Sequence, residues 1–337
     1  SYTVDVYRHD VEPEKNLLKY ALFVSFFPQL VAGPIERSKN LLSQVNAEHH
    51  FDYNRVRSGL LVMLWGFFLK LVIADRAAIA VNMVYNNSAD FTGIQLAIAT
   101  ILFAVQIYCD FESYSTIAKG AARVMGFELM DNFHQPYFST SIAEFWRNWH
   151  ISLSTWFKDY LYIPLGGNRK GNLRKYFNLM VVFLVSGLWH GASWNFVIWG
   201  AVHGVYQVVG GVTKNFRRLV CTLLDINCDT PQYKWFQRLV TCTLVTFAWI
   251  FFRSADLTQS VAVIKSIFTN FAPWSLYGGG ITKMGLDTAN AAVLIAAAAI
   301  LSASVFAAAK PPSTTVVSVA VSAAVSSATT AASSSSR

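Results

Sequence analysis

Apolar residues in this chain do not alternate singly with polar ones; they gather into long runs separated by short polar or basic segments. A helix needs roughly 20 residues to cross about 30 Å of hydrocarbon. By that measure residues 58–74, 92–109, 236–252 and 289–309 are predicted transmembrane helices, with Lys70 near the end of the first and placed to snorkel. Residues 17–32 are apolar but contain Pro28 and run into Gly33 and Pro34, which predicts a broken or re-entrant segment. Residues 114–127 predict a tilted or half-buried helix.

Residues 142–163 follow another pattern. Trp146, Trp149, Leu153, Trp156 and Tyr160 recur at three- and four-residue spacing, which predicts one amphipathic helix with an aromatic face. Pro164, Gly166, Gly167 and Asn168 then mark a turn. Residues 176–209 are apolar throughout except for a glycine-rich break, and predict a helical hairpin with arms 176–189 and 195–209. After Lys310 the chain is Ser, Ala, Thr and Val, with no charge until Arg337. Such low complexity cannot specify a packed fold. The expected organisation is therefore an all-α membrane domain over 1–309 and a tail over 310–337. The opening residues resemble neither a signal peptide nor the start of a span, so the chain is expected to begin inside a longer protein.

Composition agrees with a lipid-facing exterior. Hydrophobic residues make up 54% and charged residues 14%, against about 25% charged in soluble domains. The formal net charge of +8 would suggest nucleic acid in a soluble protein. Here the basic residues sit between apolar runs, with no basic stripe or stacking platform, so nucleic acid is not an expected partner. Arg169, Lys170, Arg174 and Lys175 make residues 164–175 basic, and Lys214, Arg217 and Arg218 do the same for 213–218. Basic connections face the cytoplasm, so the hairpin leaves that face and returns to it. His190 follows Tyr176 by fourteen residues, so at about 1.5 Å per residue it lies roughly 20 Å deep.

An ionisable side chain at that depth is a candidate functional group by default. Gly187 and Gly191 flank His190 and permit close approach by a ligand or a neighbouring helix. Ser186, Ser193 and Asn195 surround it in sequence. A histidine hydrogen-bonded inside a bundle is the competing reading, and it is favoured for His203. His150 fits a headgroup-facing position on the aromatic helix, where Arg147 and Asp159 pair with neighbours or orient a ligand. Asp110 and Glu112 read as solvated acids ending a span, and Asp75 and Arg76 as a local pair. The cysteines (Cys109, Cys221, Cys228, Cys242) have no metal-type spacing. No GxSxG elbow, P-loop or dinucleotide fingerprint is present.

Four stretches are more specific than any of these: FVSFFPQLVAGPIER at 23–37, QIYCDF at 106–111, EFWRNWHISLSTWFKDYLYIPLGGNRKG at 144–171 and SGLWHGASWNFVIWGAVHG at 186–204. In this order they resemble the membrane-bound O-acyltransferase family, and within it the branch that acetylates alginate, cellulose or peptidoglycan. The resemblance runs from about Ser1 to Phe252. It implies a polytopic helical bundle forming a funnel around a thin central site, with several family spans preceding this chain. It also implies that His190 is the catalytic histidine and His150 a second functional one. Arg147, Asn148, Trp149, Asp159, Trp189 and Asn195, within or beside these motifs, are the candidates for binding substrate or supporting the histidines. Many relatives carry an aspartate where Thr116 stands, so no role is transferred to that position.

The activity implied is acyl transfer to a hydroxyl at the bacterial cytoplasmic membrane. The donor is acetyl-CoA or another acyl thioester from the cytoplasm, with no permanently bound cofactor. An extracytoplasmic acetyltransferase partner, a polysaccharide acceptor and membrane lipid complete the expected partners. A hydroxyl is a poor nucleophile, so a base must take its proton, and a neutral imidazole suits that task. His150, Asn195 or backbone N–H groups near Gly191 would hold the oxyanion. The alternatives are D-alanyl transfer to teichoic acid, a transporter of acyl groups or polymer, and a non-catalytic docking subunit.

Overall fold

Every regular element among residues 1–307, the part of the chain that the computed structural model describes, is helical. The tail expected at 310–337 lies outside the described residues. The main helices are α1 (Leu17–Ser25), α2 (Tyr53–Asn86), α3 (Gly93–Met125), α4 (Ile142–Asn148), α5 (Ile151–Phe157) and α6 (Gly171–His190). They continue with α7 (Trp194–Val212), α8 (Lys214–Leu223), α9 (Pro231–Arg253), α10 (Leu257–Thr269) and α11 (Thr288–Ala307). By length and composition α2, α3 and α9 can each cross a membrane, and α7 with α8, bent by 50°, qualifies as a pair. The chain divides into two compact units: residues 1–79, 105–132 and the chain from Leu286, and residues 80–104 with 133–285.

In the first unit the segment after α1 is broken as the prolines predict. Pro28 opens a single 3₁₀ turn, Phe27–Gln29, and Val31 takes a left-handed conformation at φ 66°. A Cβ on Gly33 would stand 2.1 Å from the carbonyl oxygen of Pro28, so only glycine fits this bend. The amide of Gln29 donates to the Phe23 carbonyl at 2.5 Å and Tyr114 donates to that of Leu30 at 2.7 Å. These bonds satisfy backbone groups that the break frees from the helix ladder. Phe23, Phe26, Leu41, Leu42, Ala122 and Leu129 form the core beneath it.

Two expectations for α2 and α3 are corrected. Residues 92–109 and 114–127 are one helix, about 50 Å long at the α-helical rise, and the first span runs on past Asp75 to Asn86. The acids do not end α3 because they find partners. Glu112 accepts from Thr116 one turn away, and Asp110 accepts from Lys70 at 2.6 Å. Lys70 bridges Asp110 and Asp75, the latter at 2.8 Å. The enabling device is a π-type turn at Leu69–Ala74, which brings residues five apart onto one face. Arg76, expected to pair with Asp75, donates instead to Asn290 at 2.5 Å. Gly59 and Gly66 let α2 lie against α3, where a Cβ would meet backbone oxygens at 2.7 and 2.9 Å.

This triad makes a prediction. Lys70→Met leaves two neighbouring carboxylates without their shared cation. The protein recovered from membranes should fall, by an amount corresponding to about 1 kcal/mol for groups this exposed. Adding Asp110→Asn should restore part of it. Quantitative fluorescence size-exclusion chromatography reads both, and wild-type recovery of Lys70→Met would contradict the role.

In the second unit residues 142–163 are not one helix. The chain turns at Trp149–His150 between α4 and α5 and passes through a π-type turn at Lys158–Tyr162. The aromatic stripe is thereby split. Phe145, Trp149 and Leu153 are buried, whereas Trp156 and Tyr160 are partly exposed. Tyr137 organises the packing around them: its hydroxyl donates to the Ala104 carbonyl at 2.7 Å and accepts the Trp249 indole N–H at 3.0 Å. The predicted hairpin is present as α6 and α7, with its break at Gly191–Ser193. The apolar part of α6 spans about 20 Å, short of the roughly 30 Å of a hydrocarbon core. The basic segment at 213–218 is the start of α8, not a loop. Its apolar residues Phe216, Leu219 and Leu223 are exposed on one face, while Lys214, Arg217 and Arg218 share the opposite one.

Candidate active site

The hairpin brings His190 into place through a seam of small residues. A Cβ on Gly200 would lie 2.2 Å from the Phe183 carbonyl oxygen, and one on Gly187 2.3 Å from that of Phe196. A Cβ on Gly204 would meet the Met180 sulfur at 2.7 Å. Of the two uses open to a glycine beside His190, ligand approach or helix approach, Gly187 serves the second. Gly191 does likewise, since its Cβ would strike the Phe196 ring at 2.7 Å.

His190 is the last residue of α6. Its half-buried ring is set edge-on among aromatic neighbours: Trp189 at 5.0 Å, Trp199 at 5.1 Å and Phe252 at 5.3 Å between ring centroids. Phe196 lies farther off at 6.4 Å. Such a cage restricts the ring's rotation. Neither Trp199 nor Phe252 is among the residues the sequence singles out. Phe252, near the end of α9, carries no sequence signal beyond its position in an apolar run.

His150 occupies the turn between α4 and α5. Its backbone is left-handed, φ 46° and ψ 54°, which costs a non-glycine residue about 1–2 kcal/mol. Both sides of the turn are clamped. Trp149 stacks on Phe145 at 5.4 Å and packs against Phe133 at 5.0 Å and Trp249 at 5.2 Å. Beyond the turn, Ser154 N–H donates to the His150 carbonyl at 2.9 Å. The imidazole is 5% exposed, so it is not the headgroup-facing residue that spacing suggested. It lies 6.4 Å from Trp189, whose indole is thus a neighbour of both histidines.

The remaining expected residues divide. Trp189 neighbours both histidines and is largely exposed. Trp149 is a core residue, and its contribution is to hold the His150 turn. Asn195 is buried and donates to the Ser254 carbonyl at 2.9 Å, tying α7 to the end of α9. One of its two amide N–H groups is therefore engaged. Asn148 donates to Ser139 at 3.2 Å, and its carbonyl accepts from the His134 backbone at 2.9 Å. Arg147 is exposed on α4, and Asp159 is partly buried on the π-type turn. A polar concavity lined by Asp10–Lys15, Lys39 and Asn46 belongs to the first unit and contains none of these residues.

The family model for membrane-bound O-acyltransferases matches residues 13–252. The chain is 38% identical over 276 residues to the probable alginate O-acetylase AlgI of Pseudomonas putida, covering 82% of this chain and 54% of that protein. It is 37% identical over 258 residues to the peptidoglycan O-acetyltransferase of Helicobacter pylori, covering 75% and 47%. Identity to the teichoic acid D-alanyltransferase of Streptococcus thermophilus is 26% over 271 residues, covering 73% and 63%. The chain spans about half the length of the alginate and peptidoglycan relatives. The matched region takes in the broken segment, the clamped turn at His150 and the hairpin that ends at His190, and with it the chain belongs to the membrane-bound O-acyltransferase family.

Proposed function

We propose that this protein transfers an acyl group, acetyl in the first instance, from a cytoplasmic thioester to a hydroxyl for O-acetylation of an extracellular or cell-wall polysaccharide. The observation that carries the reading is the placement of His190 at the tip of a short, glycine-seamed hairpin, half-open and caged by aromatic rings beside His150. His190 takes the proton of the attacking hydroxyl as its oxygen bonds to the thioester carbonyl carbon. The C–S bond then breaks, and the thiolate leaves with a proton. His150, whose ring neighbours the Trp189 indole that also borders His190, is assigned as the donor to the transient oxyanion. Trp189 lines the space beside both histidines. Arg147 and Asp159 are assigned to substrate orientation, and Asn148 and Trp149 to support of the His150 turn.

The protein is read as lying in the bacterial cytoplasmic membrane, with the basic segment 164–175 and α8 on the cytoplasmic side, where the donor arrives. An extracytoplasmic acetyltransferase is the expected partner that completes transfer to polymer. Teichoic acid D-alanyl transfer is kept as the second reading, on the 26% identity to that enzyme. Purified protein given labelled acetyl-CoA and acceptor polysaccharide should release free CoA and label the polymer. A protein that only transports, or only docks a partner, releases no CoA. Turnover with a D-alanyl carrier thioester and not with acetyl-CoA would select the second reading.

A further inference from the structure

His203 on α7 is absent from the mechanism above, yet it is placed to govern it. Its side chain is completely buried, and Nδ1 accepts the indole N–H of Trp146 at 3.2 Å. An indole N–H can only donate. Nδ1 therefore keeps its lone pair, and the single ring proton of the neutral imidazole sits on Nε2. Trp146 belongs to α4, and His150 follows it by four residues, in the turn just beyond the helix end. His203 belongs to the hairpin arm that packs against the helix ending in His190. The bond therefore joins the element leading to one site histidine to the element holding the other.

What surrounds this bond makes it decisive. Trp146 otherwise meets the hairpin through ring contacts, with Phe183 at 5.3 Å and Trp199 at 5.7 Å. Ring contacts have broad minima, so stacked aromatics slide by fractions of an ångström at little cost. A hydrogen bond in a dry interior is directional and strong, and it selects one register. A second polar link between these elements, from the Gln207 amide to the Ile142 carbonyl, is long at 3.5 Å. His203 also lies 5.1 Å from Trp199, which is itself 5.1 Å from His190. The same ring thus supports the cage of the proposed base and the helix before the proposed oxyanion donor.

We propose that His203 is a positioning residue: by accepting the Trp146 N–H it locks α4 against the hairpin and sets the spacing between His150 and His190, without touching substrate. This rests on the acyl-transfer reading given above. Proton transfer and oxyanion binding require the two imidazoles to meet one reacting centre together, and misplacement by about 1 Å costs on the order of 100-fold.

The test compares His203→Asn, His203→Gln and His203→Leu with Trp146→Phe and with the double variant Trp146→Phe/His203→Leu, in the full chain. Asparagine sets a carbonyl oxygen near the place of Nδ1 and keeps an acceptor for Trp146; glutamine sets its oxygen near the place of Nε2, and leucine offers none. His203→Leu and Trp146→Phe should each lower kcat for CoA release about tenfold, with KM for acetyl-CoA changed by less than about twofold. His203→Asn should stay within about threefold of the wild type, His203→Gln should resemble the leucine variant, and the double variant should be no worse than the poorer single. Wild-type kcat in His203→Leu, an asparagine variant as poor as leucine, or losses that multiply in the double variant would each overturn the proposal. Should the leucine variants fail to accumulate, the contrast between asparagine and glutamine decides alone. His190→Ala runs in parallel. Full activity there defeats the acyl-transfer assignment, whereas a dead His190→Ala beside an unaffected His203→Leu defeats only the positioning role.

Discussion

His190→Ala should lower polymer acetylation and CoA release by about two to four orders of magnitude, the range that a positioned general base contributes. The protein should still insert and accumulate. The ring is half-buried at a helix end and makes its contacts with other rings at centroid distances of 5.0 Å and more, so truncation removes packing from one side of the cage only. His190→Gln is the sharper variant, since it keeps a polar group of similar reach but cannot accept and release a proton near neutral pH. Both variants should therefore fail in turnover while acyl-CoA binding persists. The measurement is labelled acetate in polymer together with free CoA, normalised to protein in the membrane. Near-normal acetylation in either variant sinks the assignment of the base.

Gly200→Leu should prevent stable accumulation altogether. A Cβ there would stand 2.2 Å from the Phe183 carbonyl oxygen, which is main chain on the facing helix and cannot rotate away. The arms would have to separate, breaking the neighbouring close approaches at Gly187 and Gly204 as well. Overpacking a well-filled site costs about 1–3 kcal/mol when side chains can adjust, and here the clash is backbone against side chain. Gly210→Ala on the same helix is the control, because nothing lies within 4 Å of a Cβ at that position. It should accumulate like the wild type. The comparison is the monodisperse fraction after detergent extraction. Equal recovery of the Gly200 and Gly210 variants would mean that the hairpin seam does not hold the fold.

The hairpin and the broken segment after α1 were legible in the chain because their signals are local. Glycine and proline act through their own backbone geometry, whatever packs around them. The Gly191–Ser193 break and the Pro28 turn therefore stand where the residues indicate. The continuation of α3 past Asp110 is not legible in the chain, because a charge within an apolar run is ambiguous alone. Whether it ends a span depends on a partner, and that partner, Lys70, lies forty residues away and reaches it through a π-type turn. The stripe at 142–163 is broken for another reason. Its three- and four-residue spacing is real, but burial of Trp149 among Phe133, Phe145 and Trp249 outweighs the cost of a left-handed residue at His150.

Sequence by itself determined the class of this protein: apolar runs of span length, basic connections and the motif set that marks the family. It also singled out His190, since an imidazole between glycines in an apolar hairpin is unusual wherever it occurs. Tertiary structure alone decided which groups stand beside that imidazole. Trp199 and Phe252 form its cage, Asn195 is held by Ser254 rather than left free, and His150 is buried rather than facing lipid headgroups. The reason is that span formation depends on hydrophobicity summed along the chain, which sequence records directly. The side-chain environment depends on contacts between residues tens of positions apart, and their register is settled only when the helices pack.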